Sequence, residues 1–216
     1  WLGDVYKRQV IGDSSGESTL LRNMIHRISE GIPPSDAKLL VIDYRRQLLG
    51  ECPATHLAGY ASTKQDVQEF ISQLVPLLES RMPAGVDDPQ TLRDRSWWKG
   101  PDIFLVVDDY DLVATSSGNP LQGLLELLPY GRDIGLHMVV ARRCTGFSRT
   151  SFEPIMARLR ELHPTIFLMS GTAEEGIIAG GRKARSLSKG RADVISNQGT
   201  HQVVQFAHHV GEEKTE

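Results

Sequence analysis

The sequence predicts an α/β fold: a mostly parallel sheet covered by helices, closed by a C-terminal β-hairpin. Three observations predict it. Short apolar runs alternate with stretches of helical periodicity along most of the 216 residues. The runs Leu39–Ile42 and Ile103–Val107 are apolar at every position, as strands are when both sheet faces are covered. Near the C-terminus, residues 190–206 form two β-like runs around the turn residues Asn197-Gln198-Gly199, a hairpin pattern.

In chain order, Val10-Ile11 is the stub of a first strand and runs into Gly12-Asp13-Ser14-Ser15-Gly16. The helix after it carries Leu20, Leu21, Met24, Ile25 and Ile28 on one face, and Pro33-Pro34 closes that unit. Leu39–Asp43 is the second strand and residues 57–61 a weaker one. Thr63 to Asp66 has the form of a capping box. It opens a helix with Val67, Phe70, Ile71, Leu74, Leu77 and Leu78 on a stripe, and Pro76 inside it is expected to bend it. Residues 83–100 are polar and read as a surface excursion, with Trp97-Trp98 either packed locally or docked on a neighbouring module. Ile103–Val107 ends at Asp108-Asp109. Asn119-Pro120 caps a predicted helix through Leu121, Leu124, Leu125 and Leu128. Residues 135–141 and 165–169 are strands. Between them, Thr150 to Glu153 is a second capping box before a helix with Ile155, Met156, Leu159 and Leu162.

Hydrophobic residues make up 40% and charged residues 24% of the chain, as in ordinary globular proteins. The length suits one domain with its own core. A net charge of −3 is not the basic footprint that nucleic acid demands. Cys52 and Cys144 lack metal-site spacing and read as reduced thiols of a cytosolic protein. No apolar run approaches the ~20 residues of a membrane span, and there is no secretory signal pattern. Residues 1–9 (WLGDVYKRQ) do not flow into the strand that starts at Val10 and read as non-native sequence. On that reading a domain covers 10–207, as a fragment of a longer protein, and 208–216 form a flexible tail. His208-His209 in that tail are read as solvated.

Two motifs carry chemistry. Gly12-Asp13-Ser14-Ser15-Gly16-Glu17-Ser18-Thr19 follows a strand and opens a helix, where a phosphate-binding loop belongs. Backbone N–H groups at a helix N-terminus hold phosphate oxygens. A lysine on the outer phosphates and a hydroxyl on Mg²⁺ complete such a site, and Ser18 or Thr19 supplies the hydroxyl. The loop departs from GxxxxGK[ST] twice: one residue is missing between the glycines, and Glu17 stands where lysine belongs. At ~4 Å and an effective dielectric of ~20, one unit-charge interaction amounts to about 4 kcal/mol, and the exchange reverses its sign. Weak or absent nucleotide binding is the expectation. The alternative is a plain strand-to-helix turn with Glu17 in a first helical turn that favours an acid. The second motif is Asp108-Asp109. Asp108 is placed to hold Mg²⁺ with Ser18. Asp109 stands where a glutamate would polarise water and is one methylene short, so its catalytic role is doubtful. An acid pair at a strand end also serves simply to cap a turn. A third strand end, Arg142-Arg143, lies where motors place a polar sensor, and a solvated or structurally ion-paired arginine is the favoured reading.

Taken with Leu39–Gly50, Ile103–Val113, Gly131–Arg143 and Gly190–Ala207, these motifs resemble the FtsK/SpoIIIE family of RecA-like P-loop motor ATPases, and more narrowly the C-terminal ATPase module of type VII (ESX) secretion ATPases. The resemblance covers nearly the whole chain after residue 9. It implies a RecA-like fold, with ATP and Mg²⁺ as ligands that are weakened or lost here. It implies partners of three kinds: sister modules in a ring or chain, the C-terminal signal of a small helical secreted protein held in an apolar pocket, and a membrane complex reached only through other regions or subunits at the inner face of the cell membrane. A degenerate module for cargo recognition and assembly is the leading expectation. A slow ATPase using Arg22 or Arg142 in place of the lysine is the alternative. DNA translocation is the least favoured, and nucleic acid is not expected as a partner.

Overall fold

The structure is a computed structural model, and it describes residues 7–150, 152–196 and 198–207. Strand β1 (Lys7–Gly12) is buried along nearly its whole length and starts three residues before the predicted Val10. Helix α1 (Glu17–Gly31) follows and buries the predicted stripe of Leu20, Leu21, Met24, Ile25 and Ile28. Strands β2 (Ala37–Ile42) and β3 (Leu57–Ala61) come next. Helix α2 (Lys64–Glu79) opens on the capping box: the Thr63 side chain accepts from the Asp66 N–H while the Asp66 carboxylate accepts from the Thr63 N–H. The excursion holds a short helix α3 (Pro89–Asp94), capped by Asp88.

Strand β4 (Asp102–Val107) leads into α4 (Tyr110–Val113). The helix predicted after Asn119 is instead two 3₁₀ turns, Pro120–Leu124 and Leu128–Tyr130. Gly123 weakens an α-helix there, and Pro129 removes a donor that one would need. Asn119 still caps, its Oδ1 accepting from the Leu121 N–H. Helix α5 (Gly131–Ile134) turns into β5 (Leu136–Arg143), then α6 (Phe147–Thr150) and α7 (Pro154–Glu161). The second predicted capping box is corrected. The cap of α7 is Glu153, which accepts from the Met156 N–H, with Pro154 in the first turn; α6 already includes Thr150, and Ser151 lies outside the described residues. Strand β6 (Thr165–Leu168) precedes a small, unpredicted pair, β7 (Ile177–Ala179) and β8 (Arg182–Lys183). The predicted hairpin is β9 (Arg191–Ile195) with β10 (His201–Gln205), although Asn197 of its turn lies outside the described residues. So do residues 1–6, and the tail predicted over 208–216 with His208-His209.

The eight-stranded sheet has the order β10-β9-β6-β1-β5-β4-β2-β3. β3 through β6 in that order are parallel neighbours, and the hairpin adds two antiparallel strands beside β6. The predicted fold class is thus observed. Alternation along the strands explains why they are apolar throughout. Phe104, Val106, Val139 and Ala141 join α1 and Phe167 in one core. Ile103, Leu105, Val107, Met138 and Val140 join α2, α7 and the 3₁₀ turns in the core on the other face. Trp97 and Trp98 pack locally: their indole N–H groups donate to the Arg81 and Asp133 carbonyls, and the Arg81 guanidinium lies 4.2 Å from the Trp98 ring centroid. Among the described residues no helix is long and apolar enough to cross a membrane.

Candidate functional site

The connection after β1 leads away past β5 and β4, while β6 lies on its other side. Crevices at such switch points, outside the carboxyl ends of parallel strands, are where α/β sheets bind ligands. Here the ends of β1, β4 and β5 enclose a cleft of about 300 Å³, lined by Gly12, Ser14, Glu17, Ser18, Asp108, Asp109, Arg45, Arg142 and Arg143.

The loop is built by backbone geometry. Ser14 is left-handed (φ 55°), and Gly16 caps α1 at φ 115°, a conformation that favours glycine. Gly12 is needed for close approach, because a Cβ there would meet the Glu17 carboxylate, Ser15 Oγ and Met169 Cβ. Asp13 ties the loop to the end of β5, accepting from the Thr145 N–H and hydroxyl, each at 3.0 Å. The Ser15 carbonyl accepts from the Gly190 N–H at 3.1 Å, which ties it to the C-terminal hairpin. Thr19 faces a neighbouring cavity of about 400 Å³ with Lys189 and Phe206.

The Glu17 carboxylate folds back over the loop. It accepts from the Ser15 N–H (2.9 Å), the Gly16 N–H (3.0 Å) and the Ser15 hydroxyl (3.0 Å). The proposed metal pair is assembled across 90 residues: Ser18 donates to Asp108 at 2.7 Å. A hydroxyl and a carboxylate so placed fit Mg²⁺. On the phosphate side an acid stands in the place of the cation, and its carboxylate already holds the Ser15 and Gly16 N–H groups. Asp109 is left-handed (φ 46°) and ion-paired to Arg45 at 3.1 Å. Burial raises its pKa, against the pull of Arg45 and Arg143.

The two basic residues offered as lysine substitutes already hold other partners. Arg22 donates to the Gln47 carbonyl and pairs with Glu51. Arg142 is buried, lies 3.5 Å from Asp111, and has its guanidinium 4.9 Å from the Phe147 ring centroid. A structural ion pair, rather than a solvated one, is therefore observed. Sequence reasoning missed Arg45 and Asp111; the only signal was their position just beyond strand ends.

Burial pushes the Asp108 pKa up to about 6, with Asp109 and Asp43 adding to the rise and the Ser18 hydroxyl opposing it. Between about pH 4 and about 6 the folded chain then holds a proton that the unfolded chain has lost, so stability falls as pH rises through that window. Without magnesium, Asp108→Asn is expected to raise the unfolding free energy by about 1–2 kcal/mol at pH 7.5 and to change little at pH 4.5. Urea denaturation at the two pH values checks this.

No protein-family model matches the chain. It is 46% identical over 199 residues to the ESX-4 secretion system protein EccC4 of Mycobacterium tuberculosis (strain ATCC 25618 / H37Rv), an alignment covering 92% of this chain and 16% of that protein. The chain belongs to the EccC family. Against the ESX secretion system protein EccC of Thermomonospora curvata it is 40% identical over 200 residues, covering 92% of this chain and 15% of the relative. It therefore spans less than a fifth of these EccC proteins. The cytoplasmic domain of the T. curvata type VII secretion ATPase EccC superposes with a TM-score of 0.91 at 39% identity, over 95% of this chain and 24% of that one. A structure of T. curvata EccC ATPases 2 and 3 in complex with a signal sequence peptide gives the same score and identity, over 37% of its length. The similarity to the C-terminal ATPase module of EccC, expected from the motifs, is thereby found, and the domain is an EccC-type P-loop ATPase domain.

Proposed function

We propose that this chain is a degenerate ATPase module of an ESX secretion motor. It recognises the C-terminal signal of small helical ESX/WXG-type proteins and takes part in motor assembly, on the cytoplasmic side of a membrane complex, with weak or absent ATP hydrolysis. The observation that carries the reading is a groove of about 430 Å³ between α1 and β10, where Leu20, Met24, Val204 and Phe206 line it together with Asn23, His26, Arg27 and Glu30, beside a phosphate loop with an acid in place of its cation. A helical signal fits such a groove by laying apolar residues into it. The peptide bound to the T. curvata relative supports this reading.

Phe206 is the residue to test, because it is only partly buried and packs on Phe167 at 5.9 Å between ring centroids. A fluorescently labelled C-terminal signal peptide of such a secreted protein is expected to bind the native chain without nucleotide. Phe206→Ala should weaken binding at least tenfold at unchanged far-UV circular dichroism. Absence of binding by the native chain, or equal binding by both, would refute the groove as the cargo site. One observation favours a second reading, a slow ATPase: the Ser18–Asp108 pair is intact. Turnover that rises with Mg·ATP and disappears in Asp108→Ala would favour that reading.

A further inference from the structure

We infer that Glu17 is an intramolecular stand-in for phosphate, closing the nucleotide loop from within. The inference rests on reading this cleft as the nucleotide site of the family. A phosphate at such a loop takes the N–H groups that open the helix. In this chain the Ser15 and Gly16 N–H groups and the Ser15 hydroxyl already point at one anion, and that anion is the carboxylate of Glu17. The surrounding backbone is shaped around it. Ser14 and Gly16 are both left-handed, which turns successive N–H groups toward one centre, and Gly12 leaves the space that the carboxylate fills. Asp108 and Arg142, each 2% exposed, form part of the wall of the same cleft.

The consequence differs from a simple missing lysine. Lacking the cation, an open loop would still offer two amide donors and a hydroxyl to any phosphate. In the closed loop those donors are taken, and an incoming phosphate must first displace a carboxylate tethered one residue away. Glu17 thus acts on affinity twice, by repulsion and by occupancy. Removing its carboxylate should open a phosphate site without any lysine being added.

The test titrates the ¹⁵N-labelled chain with inorganic pyrophosphate and follows the Ser15 and Gly16 amides. The native chain is expected to show no saturable shift of these amides at millimolar pyrophosphate. In Glu17→Ala the two amide protons should move upfield on loss of the charge-assisted bond. Pyrophosphate should then return them downfield, with affinity at least tenfold above native. Glu17→Gln keeps one acceptor oxygen in nearly the same shape and should fall between the two, and it stands in if the alanine variant does not fold. Native binding as tight as in the variants would overturn the inference, as would amides that stay in place in Glu17→Ala. Signal-peptide binding is read out separately, so failure here leaves the groove standing, and failure of the groove leaves the closed loop standing.

Discussion

Replacing Phe167 by alanine is expected to lower the unfolding free energy by about 3–5 kcal/mol. The side chain is 1% exposed, and it sits in the core that joins α1, β4 and β5 to the hairpin. Its ring faces Phe206 on one side, and the Arg8 guanidinium lies 5.7 Å from its centroid. Alanine removes most of that contact, and strands fixed by their ladders on both sides cannot close the space. Small domains are stable by only about 5–15 kcal/mol, so a loss of this size is a large fraction of the total. Urea denaturation reads it as a lower midpoint at unchanged slope. A second signature distinguishes this site from any other core position. Phe206 loses its partner, and the groove between α1 and β10 should loosen with it, so amides of β10 are expected to exchange faster than those of β3 at the opposite edge of the sheet. A loss below about 1 kcal/mol would mean that Phe167 does not anchor the hairpin.

The fold was readable where local signals agreed with tertiary demands. The bounds of β3, the Thr63–Asp66 capping box and the apolar stripe of α1 follow from residue pattern alone, since the buried face and the local preference coincide. The stretch after Asn119 was not readable in the same way. Its leucines have helical spacing, yet Gly123 and Pro129 favour short 3₁₀ turns, and Gly123 packs within 3.2 Å of Val75 for a hypothetical Cβ. The β7–β8 pair escaped because two short and mostly exposed strands carry almost no hydrophobic pattern.

In the site, the two motifs named Ser18 and Asp108 together as ligands of one metal, and the structure brings the two side chains into contact, because strand ends in this architecture converge. The charge of Glu17 was equally visible. Its direction was not: nothing in the residue order states that the carboxylate turns back on the Ser15 and Gly16 N–H groups, which depends on two left-handed residues. The groove was hidden for another reason. Leu20 and Met24 belong to the core and line the groove at once, so periodicity cannot separate the two roles.

Restoring the loop should have the larger effect on binding. Glu17→Lys, together with one residue inserted between Gly12 and Gly16, returns the cation, the missing backbone donor and the free nest in one step. Each charge interaction is on the order of 4 kcal/mol at ~4 Å and an effective dielectric of ~20, before screening by magnesium and solvent. Even after heavy discounting, a gain of about 2.7 kcal/mol remains, which is a hundredfold in affinity. The Ser18 hydroxyl already donates to Asp108 beside the loop. Isothermal titration of the native and restored chains with Mg·ATP is therefore the measurement that tests the proposed degeneracy of the site most directly. The expected result is no measurable binding by the native chain and micromolar or tighter binding by the restored one. Micromolar binding by the native chain, or equal behaviour of the two, would contradict a nucleotide site closed by Glu17.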